Sequence, residues 1–273
     1  MKSLCAILLI LFCANQPAAA ATENGVRTGG AEVQINLCSE PGQIISALQL
    51  VRKKARPREV WYFDTAGLDL FRRGILFRLR STGRKHELTL KVENQECARV
   101  NPELLPAGLA KCEYDLRGAQ SVGAMSISRI LDESQARGLL EGQSVLADLL
   151  SPAQVRYLRE GAAVWPLPPG LKRLGPARIE TYHRKGQSFD VELWQLPSGR
   201  RYAEISQKSS LEAARHVQSD LEDLLTRNRV KLCPDQGPQA GGRLEDLLGR
   251  RLQDESLPQH KSAPRKKNAG GEQ

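Results

Sequence analysis

Charged side chains at alternate positions of short apolar segments are the residues of this sequence best suited to chemistry. Arg78 and Arg80 alternate with Phe77 and Leu79, and Lys91 follows a similar run of alternating leucines. Residues two apart in a strand share a face, so each segment predicts a strand with one apolar and one charged face. Guanidinium and ammonium groups hold phosphoryl oxygens, and carboxylates hold a divalent cation that bridges them. The pattern indicates a binding surface for a phosphate chain.

The same alternation of charged and apolar residues occurs in both halves of the chain. Its other charged positions are Glu32, Glu87, Glu93, Glu113, Asp115, Arg117, Asp190, Glu192, Glu204 and Lys208. An ordinary half-buried sheet with its polar face in water would explain this alternation. The density of both signs of charge, and the helices available to cover the apolar faces, favour a closed or nearly closed barrel with a polar lumen.

The elements that must position these residues can be read from apolar periodicity. Strands are predicted at 31–37, 60–65, 75–81, 86–93, 111–117, 177–185, 189–196 and 201–208. Apolar residues at spacings of three and four predict helices at 43–53 and 211–225 and a helical insertion over 126–161. The predicted fold class is α+β, a closed or nearly closed barrel of these eight strands covered by helices.

The two ends of the chain differ in composition from the middle. Lys2, the apolar run Leu4 to Ala14 and the alanines at 18–21 predict a signal peptide over residues 1–20, and therefore export to the periplasm or the medium. That run is too short to cross a bilayer, so no membrane span is expected. The predicted domain covers 31–233, and the Pro-, Gly- and Gln-rich residues 234–273 are expected to be a largely disordered tail.

Four cysteines would remain after removal of the signal peptide: Cys38, Cys97, Cys112 and Cys233. Four cysteines allow three pairings, and none of the spacings resembles a zinc site. We expect Cys97 to pair with Cys112, because a short Pro-containing segment joins two strands that should be neighbours. Cys38 would then pair with Cys233 and tie the two ends of the domain together.

The charge balance and the remaining reactive residues exclude few classes of function. Lys and Arg total 40 against 31 Asp and Glu, for a net charge of +9. Such a charge fits a phosphate-rich ligand, nucleic acid or an anionic surface, but solubility explains it equally well. The histidines, including His86, are scattered and are expected in turns or on the surface. Nucleophile motifs built on Ser or Cys are absent, so acyl transfer has no support.

One run of motifs resembles a known family. The letters WYFDT at 61–65, FRLR at 77–80 and LTLK at 88–91 closely resemble motifs of the CYTH, or triphosphate tunnel, superfamily, in the same order and spacing. The resemblance covers residues 31–208. It implies an eight-stranded antiparallel tunnel that binds a triphosphate and uses magnesium or manganese for hydrolysis or cyclisation. The phosphate ligands that it implies are Arg78, Arg80, Lys91 and Arg178; the implied metal ligands are Glu32, Glu113, Asp115, Glu192 and Glu204.

The acidic strands depart from the family pattern. Gln34 and Ser206 stand where the family has carboxylates, and Asn36 stands where it has a lysine. Amide and hydroxyl oxygens carry no negative charge, so metal binding should be weaker or displaced. Three functions stay open. The first is a tunnel that binds triphosphate, polyphosphate or another phosphate-rich anion without turnover, and the second is a divalent-metal-dependent triphosphatase. The third is a structural or partner-binding role. Catalytic residues and oligomeric state are not assigned.

Overall fold

The structure is a computed structural model that describes residues 22–23, 26–54, 57–100, 110–237 and 239–249. The predicted signal peptide and the part of the predicted tail from residue 250 onward lie outside the described residues. Among the residues described, no helix is both long and apolar enough to span a bilayer.

Nine strands form a closed barrel. They are β2 (Val26–Leu37), β4 (Arg58–Asp64), β5 (Ile75–Thr82), β6 (Lys85–Glu93), β7 (Ala110–Arg117), β8 (Gln120–Leu131), β9 (Lys172–His183), β10 (Asp190–Gln195) and β11 (Arg201–Ser210). Two further strands of two residues each, β1 (Thr22–Glu23) and β3 (Val51–Arg52), pair with the edges of β2 and β9.

The order around the barrel is β2, β11, β10, β9, β4, β5, β6, β8 and β7, and β7 then pairs with β2. The predicted tunnel-like α+β fold is confirmed, but it has nine strands rather than eight, and the closing pair is parallel, with Val33 opposite Leu116. The strand number explains the parallel pair. When an odd number of strands alternate in direction, the first and the last must run the same way.

The ninth strand is β8, which the sequence pattern misassigned. Residues 126–131 were predicted to begin the helical insertion, but they form the second half of this strand. Met125 and Ile127 are buried on its outer face, whereas Ser126 and Ser128 line the lumen. Because the lumen residues here are small and uncharged, the alternation is weak and the spacing of the isoleucines and leucine resembles a helix.

In the described part of the chain, five α-helices accompany the barrel: α1 (Pro41–Ala47), α2 (Glu133–Glu141), α3 (Pro152–Arg156), α4 (Ala214–Arg227) and α5 (Gln239–Leu247). α1 is shorter than the predicted 43–53, because the chain turns at Gln49, with φ 52°, and continues into β3. α5 lies in the segment predicted to be disordered, so the prediction of a disordered tail is wrong for residues 239–247.

The apolar faces of the strands point outward and are covered by the helices. α2, α3 and the turns that follow them cover β5, β6 and β8, where Phe77, Leu79 and Leu88 are fully buried. α4 covers β2 and β11, with Leu221 and Leu225 in a second cluster. Burying one such side chain contributes about 1.5–3 kcal/mol. Because the apolar faces of the strands pack against the helices outside the barrel, the charged faces of the same strands line the lumen.

Both predicted disulfides are present, joining Cys38 to Cys233 and Cys97 to Cys112. The first bond joins the end of β2 to the segment after α4, next to a backbone bridge between Leu37 and Leu232. The second joins β7 to the short turn Cys97–Arg99 that follows β6.

The WYFDT motif has a structural role in this molecule. The buried Asp64 carboxylate accepts backbone N–H groups from Thr65, Leu70 and Phe71 at 2.7, 3.0 and 2.9 Å. The Thr65 hydroxyl donates to Asp69 at 2.6 Å. These bonds shape the turn from β4 into β5, and so fix the register of the strand that carries Arg78 and Arg80.

Candidate functional site

The lumen of the barrel holds a cavity of about 360 Å³. Its cationic lining residues are Arg58, Arg78, Arg80, Lys91, Lys111, Arg117, Lys208 and Arg243. Its acidic lining residues are Glu32, Glu87, Glu93, Glu113, Asp115, Asp190, Glu192 and Glu204. Eight side chains of each sign give a lumen with no large formal charge, so the chemistry depends on how the charges are placed.

Three arginines of neighbouring strands form a cationic cluster on one wall: Arg58, Arg78 and Arg80. In the β4–β5 pair, Arg80 lies opposite Val60 and Arg78 opposite Tyr62. Arg58 is two residues before Val60, so strand parity turns it to the same wall. The buried Nε atoms of Arg78 and Arg80 have no hydrogen-bond partner among the described residues. The cluster therefore contains two buried N–H donors that no other described group satisfies.

Repulsion within the cationic cluster is strong enough to perturb Arg80. The pKa of Arg80 is lowered to about 10, chiefly by the charge of Arg78, then by burial and by Arg58; Glu192 and Glu87 partly oppose the shift. Arg58 itself pairs with Glu192 and donates to the Thr181 hydroxyl at 2.8 Å. An anion placed between these guanidinium groups would relieve the repulsion and accept the free N–H groups.

Lys91 lines the lumen but is already paired. Its Nζ lies 2.5 Å from a carboxylate oxygen of Asp115, which also accepts from Arg117 at 3.1 Å. Arg117 Nε donates to the amide oxygen of Gln34 at 2.7 Å. Gln34 thus acts as an acceptor for Arg117, a contact that the carboxylate expected at this position could also make.

The five residues that the resemblance implied as metal ligands all line the cavity, but they do not converge. Glu113 is paired with Lys111 at 2.6 Å and with Lys208 at 3.6 Å, and Glu192 is paired with Arg58. Asp115 is held as described above. In the part of the chain that the structure covers, no group of three or more Asp, Glu, His or Cys side chains has metal-binding geometry.

Hard divalent cations require several oxygen ligands with uncompensated negative charge. Most of the lumen carboxylates are neutralised by an adjacent Lys or Arg, so this arrangement does not fit a bound magnesium or manganese ion. Glu32 and Glu204 are the exceptions in the predicted set; Glu32 accepts a hydrogen bond from Gln34 at 3.3 Å.

Arg178 is not in the lumen. Strand β9 places it on the outer face, where its side chain is 69% exposed and its Nε lies 3.5 Å from Glu59. Ala177 and Ile179, one residue to either side, point inward into an apolar cluster. The expectation that Arg178 is a tunnel arginine is wrong. The inward-facing positions of β9 are 177 and 179, one residue to either side of the position that the family motif indicates.

One end of the lumen is apolar. Val60, Tyr62, Ile179 and Trp194 pack there, and Leu244 of α5 inserts among them, fully buried. The predicted polar lumen is therefore confined to the remaining length of the barrel.

Asn36 holds the segment that leads to α5. Its side-chain amide donates to the carbonyl oxygens of Asp235 and Gly237 at 3.3 and 2.9 Å. Its backbone N–H donates to Gln236 at 2.9 Å, and its carbonyl accepts from the same side chain at 3.1 Å. Asn36 therefore orients the chain rather than supplying charge to the lumen.

Glu204 is the acidic side chain most affected by its surroundings. Its pKa is raised to about 7, mainly because the lumen shields the carboxylate from bulk water; the nearby Arg243 opposes the shift and Glu192 and Glu32 add to it. Near neutral pH this group is part protonated, which reduces its value as a metal ligand and reduces its repulsion of an anion.

This pKa predicts a pH-dependent stability. The fold favours protonated Glu204, so its stabilisation is complete below pH about 4.5 and is lost as the pH rises through about 7. Glu204→Gln should therefore increase the free energy of unfolding at pH 8 by up to about 3 kcal/mol and change it little at pH 4. Urea unfolding at both pH values measures the difference. Glu141→Gln, at an exposed position, is the control; an equal effect of Glu204→Gln at both pH values would contradict the assignment.

Sequence patterns missed three features of the molecule. Arg58 lies just before the predicted strand, although its spacing from Val60 and Tyr62 would have placed it on the inner face. Arg243 lies in the segment predicted to be disordered. His86, expected at the surface, is buried outside the lumen, where Nδ1 lies 2.8 Å from the Ser81 hydroxyl and Nε2 lies 2.9 Å from Glu133. None of the described cavities is lined by Ser81 or His86, and the contacts join the β5–β6 hairpin to α2.

Comparison with known proteins identifies the fold. Two searches, against protein families and against curated protein sequences, found no match. Solved structures do match. HpAC1 from Hippeastrum, described as an adenylyl cyclase with a dominant triphosphatase activity, has 18% identity and a TM-score of 0.53 over 77% of this chain and 92% of its own. An adenylate cyclase-like protein from Bacillus halodurans has 16% identity and a TM-score of 0.52 over 78% of this chain and 98% of its own. The resemblance to the CYTH fold is confirmed.

Proposed function

We propose that this protein binds a phosphate-rich anion, such as tripolyphosphate or the end of a polyphosphate chain, in the lumen of its barrel without a divalent cation. The cationic cluster Arg58, Arg78 and Arg80 makes the first contacts, and Lys91 exchanges its partner Asp115 for a phosphoryl oxygen. The CYTH-like fold alone does not identify a ligand; the ligand class proposed here follows from the chemistry of the residues that line this lumen.

The observation that carries the proposal is the incompletely compensated positive charge of the cationic cluster. A folded protein that places three guanidinium groups on one wall, with two buried N–H donors unsatisfied, accepts an electrostatic cost. Multivalent phosphate is suited to offset that cost, because each phosphoryl group offers several acceptor oxygens in the geometry of a guanidinium fork. Nucleic acid shares this chemistry and is a second ligand source to compare.

Binding without turnover is proposed because most of the lumen carboxylates are neutralised by basic partners. A metal-dependent triphosphatase is the alternative, and the triphosphatase activity in the description of HpAC1 favours it. The disulfides accord with an oxidising compartment, and export through the segment 1–20 is part of the proposal.

The test is a calorimetric titration of the purified protein with tripolyphosphate in EDTA, alongside phosphate-release assays with magnesium or manganese. We expect binding in EDTA, competition by polyphosphate, and little phosphate release. Competition by a single-stranded oligonucleotide of equal charge measures whether nucleic acid uses the same lumen.

Two outcomes would contradict the proposal. Absence of binding in EDTA would remove the metal-free site. Rapid phosphate release that is abolished by Glu113→Gln or Glu192→Gln would show that the carboxylates hold a metal after their basic partners move, and would establish the hydrolase.

A further inference from the structure

We infer that α5 closes one end of the lumen and that its Arg243 is an anion-binding residue, contributed by a C-terminal segment outside the motif-bearing part of the chain. This inference rests on the proposed function, because it adds a residue and a direction of entry to the same site. It makes the lumen a blind pocket that receives the end of a phosphate chain.

The position of Arg243 provides the first argument. Its side chain is 7% exposed although it carries a full charge, and its Cζ lies 4.0 Å from the centre of the Trp194 ring. Arg243 also lines the cavity that holds the cationic cluster. Stacking on an aromatic face fixes the orientation of a guanidinium group, and Arg243 lies close enough to Glu204 to oppose the rise of that carboxyl's pKa. Arg243 is therefore held with its charge at the inner end of the cavity.

The packing of α5 shows which end is closed. Leu244 is fully buried among lumen-facing residues of β4, β9 and β10. Asp246 pairs with Arg200 at 3.2 Å, in the turn between β10 and β11, and Gly241 packs on Phe71 in the turn between β4 and β5. Both turns lie at the same end of the barrel, so α5 occupies that end.

The open end lies on the opposite side of the cationic cluster. Along β10 the inward residues are Asp190, Glu192 and Trp194, and Glu192 pairs with Arg58 at the start of β4. Arg58 and Glu192 also line an adjacent cavity of about 240 Å³. A chain of phosphates entering past this ion pair would meet Arg80, then Arg78, and would bring its terminal group toward Arg243.

Several bonds hold α5 in this place. The disulfide between Cys38 and Cys233 anchors the segment before it, and the bonds of Asn36 to residues 235–237 fix the linker. The ion pair of Asp246 with Arg200, the stacking of Arg243 on Trp194 and the burial of Leu244 then secure the helix itself. An anchored helix can contribute a ligand without a large ordering cost on binding.

The experiment compares tripolyphosphate binding by full-length wild type, Arg243→Ala, Arg243→Lys and a matched control, Arg227→Ala, at an exposed position at the end of α4. Calorimetry in EDTA gives the dissociation constants, and urea unfolding reports whether each variant keeps its stability. We expect a loss of affinity of roughly tenfold or more for Arg243→Ala, a smaller loss for Arg243→Lys and none for the control. Tryptophan fluorescence should change on binding in the wild type and less so in Arg243→Ala.

The outcomes separate this inference from the proposed function. Unchanged affinity in Arg243→Ala, with affinity lost in Arg78→Ala, would overturn the role of Arg243 and leave the proposed function standing. Tighter binding by Arg243→Ala would also overturn it, because Arg243 would then compete with the anion. If Arg243→Ala loses stability, the affinity of Arg243→Lys decides. Affinity above that of the alanine variant supports a role for the charge, and affinity as low as in the alanine variant overturns it. Wild type that binds no tripolyphosphate would overturn the proposed function itself.

Discussion

Arg78→Ala is expected to weaken tripolyphosphate binding by roughly tenfold to a hundredfold while leaving the fold at least as stable as the wild type. A charge-assisted hydrogen bond contributes about 1.5–3 kcal/mol, which sets the loss of affinity. The same side chain is the largest cause of the lowered pKa of Arg80, so its removal relieves repulsion in the unliganded protein. Calorimetry in EDTA and urea unfolding measure the two effects.

A loss of affinity without a loss of stability distinguishes a binding residue from a structural one. Arg178→Ala is the matched control, since Arg178 is an arginine of a barrel strand that points away from the lumen. Its affinity should equal that of the wild type. Equal losses in Arg78→Ala and Arg178→Ala, or a loss of affinity in Arg78→Ala that accompanies a loss of stability, would argue that the lumen is not the binding site.

Removal of the long-range disulfide is the second large effect. Cys38 and Cys233 are 195 residues apart, and closing a loop of this length restricts the unfolded chain enough to stabilise the fold by up to about 5 kcal/mol. Cys97 and Cys112 are 15 residues apart, and the same model gives about 3 kcal/mol. Urea unfolding of Cys38→Ala/Cys233→Ala against the wild type, both unreduced, measures the larger contribution.

Peptide mapping without reduction provides the control for this experiment, since it must show the second disulfide intact in the double variant. A loss of stability below about 1 kcal/mol would indicate that the unfolded chain is already compact without the bond. Because Cys233 precedes the linker held by Asn36, the double variant should also bind tripolyphosphate less tightly through the loosening of α5.

The sequence by itself determined the elements whose patterns are local. Alternation placed eight of the nine barrel strands within a few residues, because side-chain direction in a strand depends only on position along that strand. Apart from Arg178, the charged residues predicted for the inner faces of those strands line the lumen, from Arg78 and Arg80 to Glu113 and Glu204. The cysteine pairing followed from which chain segments must be neighbours. The replacement of two expected carboxylates by Gln34 and Ser206 is also visible in the sequence alone, and the weaker metal binding inferred from it stays a prediction.

The tertiary structure decided what depends on contacts between distant segments. The inner face of β8 carries small residues, so its alternation became clear only when Met125 and Ile127 were packed under the helices. The parity of β9 turned Arg178 outward, since the apolar Ala177 and Ile179 pack inside with Trp194. The ion pairs that join different strands, such as Asp115 with Lys91 and Glu192 with Arg58, depend on register, which no single strand records. α5 is a helix because Leu244 and Arg243 find an apolar pocket and an aromatic face at the barrel end, and packing rather than local propensity stabilises so short a helix.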